Sequence, residues 1–226
     1  MTLPRAWFTP GTNPDLWGTR GTYTRIDWAD LPPLDAARHD GTLAWLAATD
    51  DVYGLQYGLD EDDPPDEEQI AEWRDATVEV LREAGLSAPP GFVAFFTDEL
   101  HRKVPTCTAC WVELPARLAS IEGHEGRFLR FMNDQQSVRV WGLWFADGAC
   151  AVACAQPEWL HVEAPETFED ATQLVDAWIV ADDFESFVHR FWLENTLWDV
   201  MSGRRPLTTE EAAYVAHARA RRRAKP

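Results

Sequence analysis

Apolar positions along this chain follow two spacings, and the change from one to the other separates helices from strands. In "EQIAEWRDATVEVLREAG" (68–85), Ile70, Trp73, Thr77, Val80, Leu81 and Ala84 share one face of a 3.6-residue period, and Gly85 is placed to end the helix. "SAPPGFVAFFTDEL" (87–100) follows the same logic. Its prolines pre-set a helix start, and Phe92, Phe95, Phe96 and Leu100 recur at three- and four-residue steps. Short apolar runs of strand length come next: "CWVEL" (110–114), "RFLRFMN" (127–133), "VRVWGLWF" (138–145) and "ACAVACA" (149–155). Asp147-Gly148 predicts a tight hairpin between the last two, and Asn133-Asp134-Gln135-Gln136 a turn before them. The runs therefore predict an antiparallel meander.

Helical spacing returns in "DDFESFVHRFWLENTLWDVMSG" (182–203). Asp182 or Asp183 caps its start and Gly203 its end. Phe184, Phe187, Val188, Phe191, Trp198 and Met201 form a stripe that Trp192, Leu193 and Leu197 widen. A helix this apolar around its circumference is expected between two layers. Glu194-Asn195 interrupts it and reads as a buried polar pair hydrogen-bonded to the sheet. A last helix begins with a capping-box spacing, Thr208 to Glu211, and ends in arginines. Upstream, residues 1–33 predict an irregular arm pinned by Trp7, Trp17, Tyr23 and Trp28, with one strand at "TYTRIDW". "GTLAWLAATDD" (41–51) predicts a short helix, and "DEDDPPDEE" (60–68) an exposed loop. The fold class is α+β: a central antiparallel sheet of about four to six strands flanked by helices. An N-terminal arm (1–68) packs on a core that occupies 69–226.

Charge adds a statement about partners. The formal net charge is −18, with five of the 20 basic residues in the last eight positions. Residues 1–211 carry 15 basic against 38 acidic residues, a net of −23. Seven acids crowd into 60–68, and ten fall between Val140 and His189, where there is no Lys or Arg. Such a surface repels nucleic acid and anionic lipid and steers basic macromolecules inward. Acidity also serves solubility, so charge alone leaves both readings open. No apolar run reaches the roughly 18–20 residues that span a bilayer. The first residues show no basic segment followed by an apolar one, so the expectation is a soluble cytoplasmic protein with reduced cysteines.

The four cysteines are the first candidates for chemistry. Cys107 and Cys110 form a C-x-x-C; Cys150 and Cys154 follow forty residues on. Four zinc-bound sulfurs lie within roughly 4 Å of one another. Cys150 and Cys154 in a strand are separated by about 13 Å along one face. A redox pair needs the C-x-x-C at a helix start, but Pro105 precedes it here and strand-like "WVEL" follows. Core packing is the favoured reading, with a four-cysteine metal site and a redox pair as the alternatives. The six histidines (39, 101, 124, 161, 189, 217) never pair with each other at i,i+3 or i,i+4. His161 and His189 read as satisfied core or rim residues. No Gly-rich phosphate loop supports nucleotide binding, and no cofactor is expected. Trp141 and Trp144 suggest a stacking platform, but a run apolar on both faces favours burial.

With these elements in order, residues 86–200 resemble the SUKH superfamily, which includes a yeast cell-wall-synthesis regulator and many bacterial immunity proteins. The resemblance rests on "APPGFVAFF", on "VWGLWFADGACAVACA" and above all on "IVADDFESFVHRFWLENTLW". The family's glycine-rich stretch after the first helix is replaced by "DELHRKVPTCTAC". The resemblance implies a sheet flanked by helices, no catalytic residues, and a binding module, many bacterial relatives being taken to neutralise toxins, often nucleases. A nuclease site is basic, which meets the charge argument. The expected contacts are loop acids: Asp60, Glu61, Asp62, Asp63, Glu166, Glu169 and Asp170. An adaptor acting through protein contacts and an unrecognised enzyme or metal protein are the other classes.

Overall fold

The computed structural model describes residues 2–11, 16–18, 21–50, 52, 54–58, 65–114, 117–136, 138–157, 173–201 and 205–224. In chain order the elements are β1 (Ala6–Phe8), β2 (Arg25–Asp27), α1 (Ala44–Ala47), β3 (Gln56–Tyr57), α2 (Glu67–Glu83) and α3 (Pro90–Thr97). Then come β4 (Trp111–Val112), β5 (Ala119–Ile121), β6 (His124–Asn133), β7 (Val140–Ala146), β8 (Ala149–Pro157), β9 (Gln173–Ala181), α4 (Phe184–Val200) and α5 (Thr209–Ala224). Short 3-10 turns fill some of the connections. The protein is α+β, with one seven-stranded sheet and the two-stranded β1–β2 ribbon among the described residues.

The β6–β7–β8 meander is continuous and antiparallel, and Asp147 and Gly148 adopt the two left-handed conformations (φ 53° and 76°) that the β7–β8 turn requires. The sheet then curls onto itself. β9 pairs antiparallel with β8, β5 pairs antiparallel with β6, and β5 meets β9 in parallel. Strands β5 to β9 thus form a closed ring. Five successive strands that alternate in direction bring the first and last side by side in the same direction, so the seam has to be parallel. On the far half of β6, β4 occupies the edge that β5 leaves, and β3 adds in parallel to β4. The sheet is therefore mixed and seven-stranded, larger than the expected four to six because β3, β5 and β9 join the meander.

Curling gives the sheet two buried faces, which explains why "VWGLWF" and "ACAVACA" are apolar at consecutive positions. The inner face carries Phe128, Val140, Trp144, Ala153, Ala155 and Leu174, with Leu3 and Ile121 against them. Small and large residues alternate there. Phe128 lies over Gly142 and Trp144 over Gly126, where a Cβ would collide with the ring. The outer face carries Leu129, Phe131, Trp141, Leu143, Val152, Cys154 and Val180, covered by α3 and α4.

Helix α4 is sandwiched, as its circumference predicts. Asp183 caps it, its Oδ1 accepting from the Ser186 amide at 2.7 Å. Phe184, Phe187, Val188 and Phe191 face the sheet, while Leu193 and Leu197 join Leu16, Trp17, Tyr214, Val215 and Ala218 on the other side. α5 starts with the expected reciprocal box between Thr208 and Glu211. The N-terminal segment is less irregular than expected. β1 is a buried strand, its Trp7 packs against Phe187, and Ile179 of β9 donates its amide to the Pro4 carbonyl. Residues on both sides of position 68 share the main core cluster.

Candidate functional site

The loop acids singled out from sequence, Asp60, Glu61, Asp62, Asp63, Glu166, Glu169 and Asp170, lie outside the described residues, as does His161. What the structure does describe is the helix that carries on the acidic run. Asp66 closes a capping box with Gln69, and Glu67 and Glu68 in the first turn favour the positive end of the helix dipole. Thr77 and Leu81 bury one stripe of α2, and Ile70 packs partly against the main core. The opposite side presents Glu72, Asp75, Glu79 and Glu83 to solvent, and Glu79 is paired with Arg82. Trp73, read from its spacing as a core-face residue, is 38% exposed. The apolar stripe of α2 is wider than the surface it packs on.

None of the four cysteines is in a disulfide. The Cys110 thiol is buried among Thr108 and Tyr23, and burial pushes it up to about 11. Cys154 sits opposite Trp141 in the β7–β8 ladder, and burial pushes Cys150 and Cys154 up to about 12. At such values these three side chains are thiols at neutral pH, poor as nucleophiles. Among the described residues, no group of three or more His, Cys, Asp or Glu is placed to hold a metal ion. Elemental analysis of purified protein is expected to find no stoichiometric zinc. Cys154→Ala is expected to lower stability by about 1 kcal/mol without preventing folding; one metal per chain, lost with that variant, would reverse this reading.

The strongest polar constellation is internal. Glu194 and Asn195 are buried, as expected, but their partners differ from expectation. Glu194 accepts from the Trp7 indole at 2.9 Å, the Trp17 indole at 3.0 Å and the Tyr214 hydroxyl at 2.7 Å. Arg190, one turn earlier, donates to the Tyr214 hydroxyl and to the Pro32 carbonyl. Burial pushes the Glu194 carboxyl up, opposed by these donors and by the Arg190 charge. Asn195 accepts from the Cys107 amide at 2.8 Å and donates to the Phe191 carbonyl. The pair thus binds the N-terminal segment, α5 and the C-x-x-C loop, not the sheet. The sheet side of α4 is occupied by phenylalanines, so the polar positions face the layer that has indoles and a phenol to offer.

A second chain of contacts runs beside it. The buried His189 ring lies between Glu210 (Nε2 to Oε1, 2.8 Å) and His39 (Nδ1 to Nε2, 3.2 Å), and Arg38 bonds the other Glu210 oxygen. Because Glu210 accepts, the Nε2 of His189 is a donor, and the His39–His189 contact is a hydrogen bond with either ring as donor. The bond from His189 holds the Glu210 carboxyl below the usual range, and burial lowers His39. His189 is therefore a satisfied core residue. His101 is core too but only half satisfied: among the described residues its Nδ1 bonds the Phe95 carbonyl at 3.3 Å while its Nε2 has no partner, and burial among Tyr57, Phe95 and Phe96 pushes it down to about 4. Trp141 and Trp144 are buried and offer no stacking face.

The fold and these features define an acidic α+β protein built on a curled sheet, with internal polar ties and an acidic helix on its surface. No protein-family model, no curated protein and no solved structure matches this chain. No helix among the described residues is long and apolar enough to cross a membrane.

Proposed function

We propose that this chain is a non-catalytic protein-binding module of the SUKH type, an immunity-type protein that binds and neutralises a basic toxin domain. A nuclease is the partner whose chemistry fits best, because its phosphate-binding surface is basic. The observation that carries the reading is the net charge of −23 over residues 1–211, with acids concentrated in two stretches. Such a field raises the encounter rate with a cationic surface and repels polyanions. The polar groups of the interior support it in a second way: Glu194, Asn195 and His189 are engaged in holding elements together.

The test is kinetic. A partner captured on the immobilised full chain should associate about tenfold to a thousandfold more slowly as salt rises toward 1 M, where the Debye length falls to about 3 Å. Its off-rate should change much less, because a desolvated anchor holds the formed complex. An acidic partner, or an on-rate that ignores salt, would sink the proposal. A basic partner that is a host regulator would turn it into an adaptor.

A further inference from the structure

We infer that residues 35–42 form an acid-released strap, latched at neutral pH by the contact between the rings of His39 and His189. This device is independent of which partner the chain binds. Polar groups tie the segment to α4 and α5. The Gly41 amide donates to Glu185 in the first turn of α4, and Arg38 pairs with Glu210 in the first turn of α5. Between these two ties, the His39 ring meets His189 at 3.2 Å. No residue from Asp35 to Thr42 is buried, whereas Leu43, which follows, is fully so. On the other side, the Pro32 carbonyl is held by Arg190. Gly41 and Leu43 take left-handed backbone conformations (φ 89° and 54°) as the chain turns into the core. A segment anchored at both ends with no apolar burial between them opens locally at low cost once its polar ties fail.

The latch accommodates one proton and not two. Glu210 accepts from Nε2 of His189, and a single proton between Nδ1 of His189 and Nε2 of His39 satisfies both rings. When both rings are imidazolium, two N–H groups and two positive charges face each other across 3.2 Å. The charged groups around the latch are Glu210 from α5, Asp183, Glu185 and Arg190 from α4, and Asp35, Arg38 and Asp40 from the strap itself. Burial holds His39 below the usual imidazole range, against Asp183 and Asp35 and together with His189 and Arg190. The released ring therefore binds a proton that the docked ring disfavours. Docking keeps its full preference above the ordinary histidine value of about 6.5 and loses it as pH falls below that value. Glu210, held below the usual carboxylate range, stays ionised through this window. Glu185 pulls the other way: burial raises its carboxyl, so its proton uptake favours the docked state. Opening uncovers Trp45, whose ring lies 4.9 Å from His189 and beneath the Arg38 guanidinium.

The experiment follows amide hydrogen exchange of the full chain at about pH 7.5 and about pH 5.5, corrected for the intrinsic pH dependence of exchange. Peptides covering residues 35–42 are expected to lose about tenfold in protection at the lower pH, the change that uptake of one proton with a free value near 6.5 produces. Peptides from β6 to β8 should keep theirs. His39→Gln retains a neutral N–H donor for Nδ1 of His189, and its strap should be equally protected at both pH values. Glu185→Gln removes the opposing carboxyl and should leave the loss at least as large as in the parent. Thermal melts of each variant at both pH values confirm that the fold is intact. Unchanged protection in the parent, or an equal loss in His39→Gln, would overturn the latch. A loss shared by β6 to β8 would overturn it too, as acid unfolding of the whole protein, and a loss abolished by Glu185→Gln would transfer the titration from the histidines to that carboxyl.

Discussion

Phe187→Ala and Phe191→Ala are each expected to destabilise the protein by about 3–5 kcal/mol, read from urea or thermal unfolding. Both rings are almost fully buried and sit at the junction of three layers. Phe187 touches Trp7 of β1, Phe131 of β6 and Phe191 itself, while Phe191 reaches Trp141 of β7. Truncation removes transfer free energy and leaves a void, because close-packed neighbours on the sheet and on β1 cannot all move in. A domain of ordinary stability has about 5–15 kcal/mol to lose, so either change is expected to bring it near unfolding at physiological temperature. A melting temperature lowered by only about a degree or two would contradict the role given to this face of α4.

Glu194→Ala is expected to cost a similar amount, about 3–5 kcal/mol, for a different reason. The side chain is small enough that lost packing is secondary. Its removal strands two indole N–H groups and the Tyr214 hydroxyl, and leaves Arg190 buried with its counter-charge gone. Glu194→Gln keeps the shape and one acceptor oxygen but turns an amide donor toward other donors. It should lose less, about 1–3 kcal/mol. Denaturant midpoints for the two variants, compared with the parent, give the order Ala below Gln below Glu. Equal midpoints for Ala and Glu would mean that the carboxylate is not what ties β1 and α5 to α4. Tryptophan fluorescence offers an independent readout, since Trp7 and Trp17 both donate to this group.

What could be read from the sequence alone was local. The end of α2 follows from Gly85, the start of α5 from the Thr208–Glu211 box, and the β7–β8 hairpin from Asp147-Gly148. The sandwiching of α4 follows from apolar residues around its whole circumference. These are properties of neighbouring side chains and of backbone preference, so they need no distant partner. The strands β1, β3 and β5 are three residues or fewer and carry no pattern of their own. They exist because a partner elsewhere supplies the ladder: β5 is held between β6 and β9, and Ser120 is matched with Gln173. The closed ring, and with it the inner core, is therefore a decision of the tertiary structure. The same holds for the polar centre. That Glu194 is buried could be inferred from its apolar neighbours, but its donors lie 187, 177 and 20 residues away. On the surface, periodicity placed Trp73 on the apolar face of α2, and only packing could show that this face overruns the surface beneath it. Periodicity reports which side of a helix is apolar. How much of that side is covered depends on the shape of what it meets.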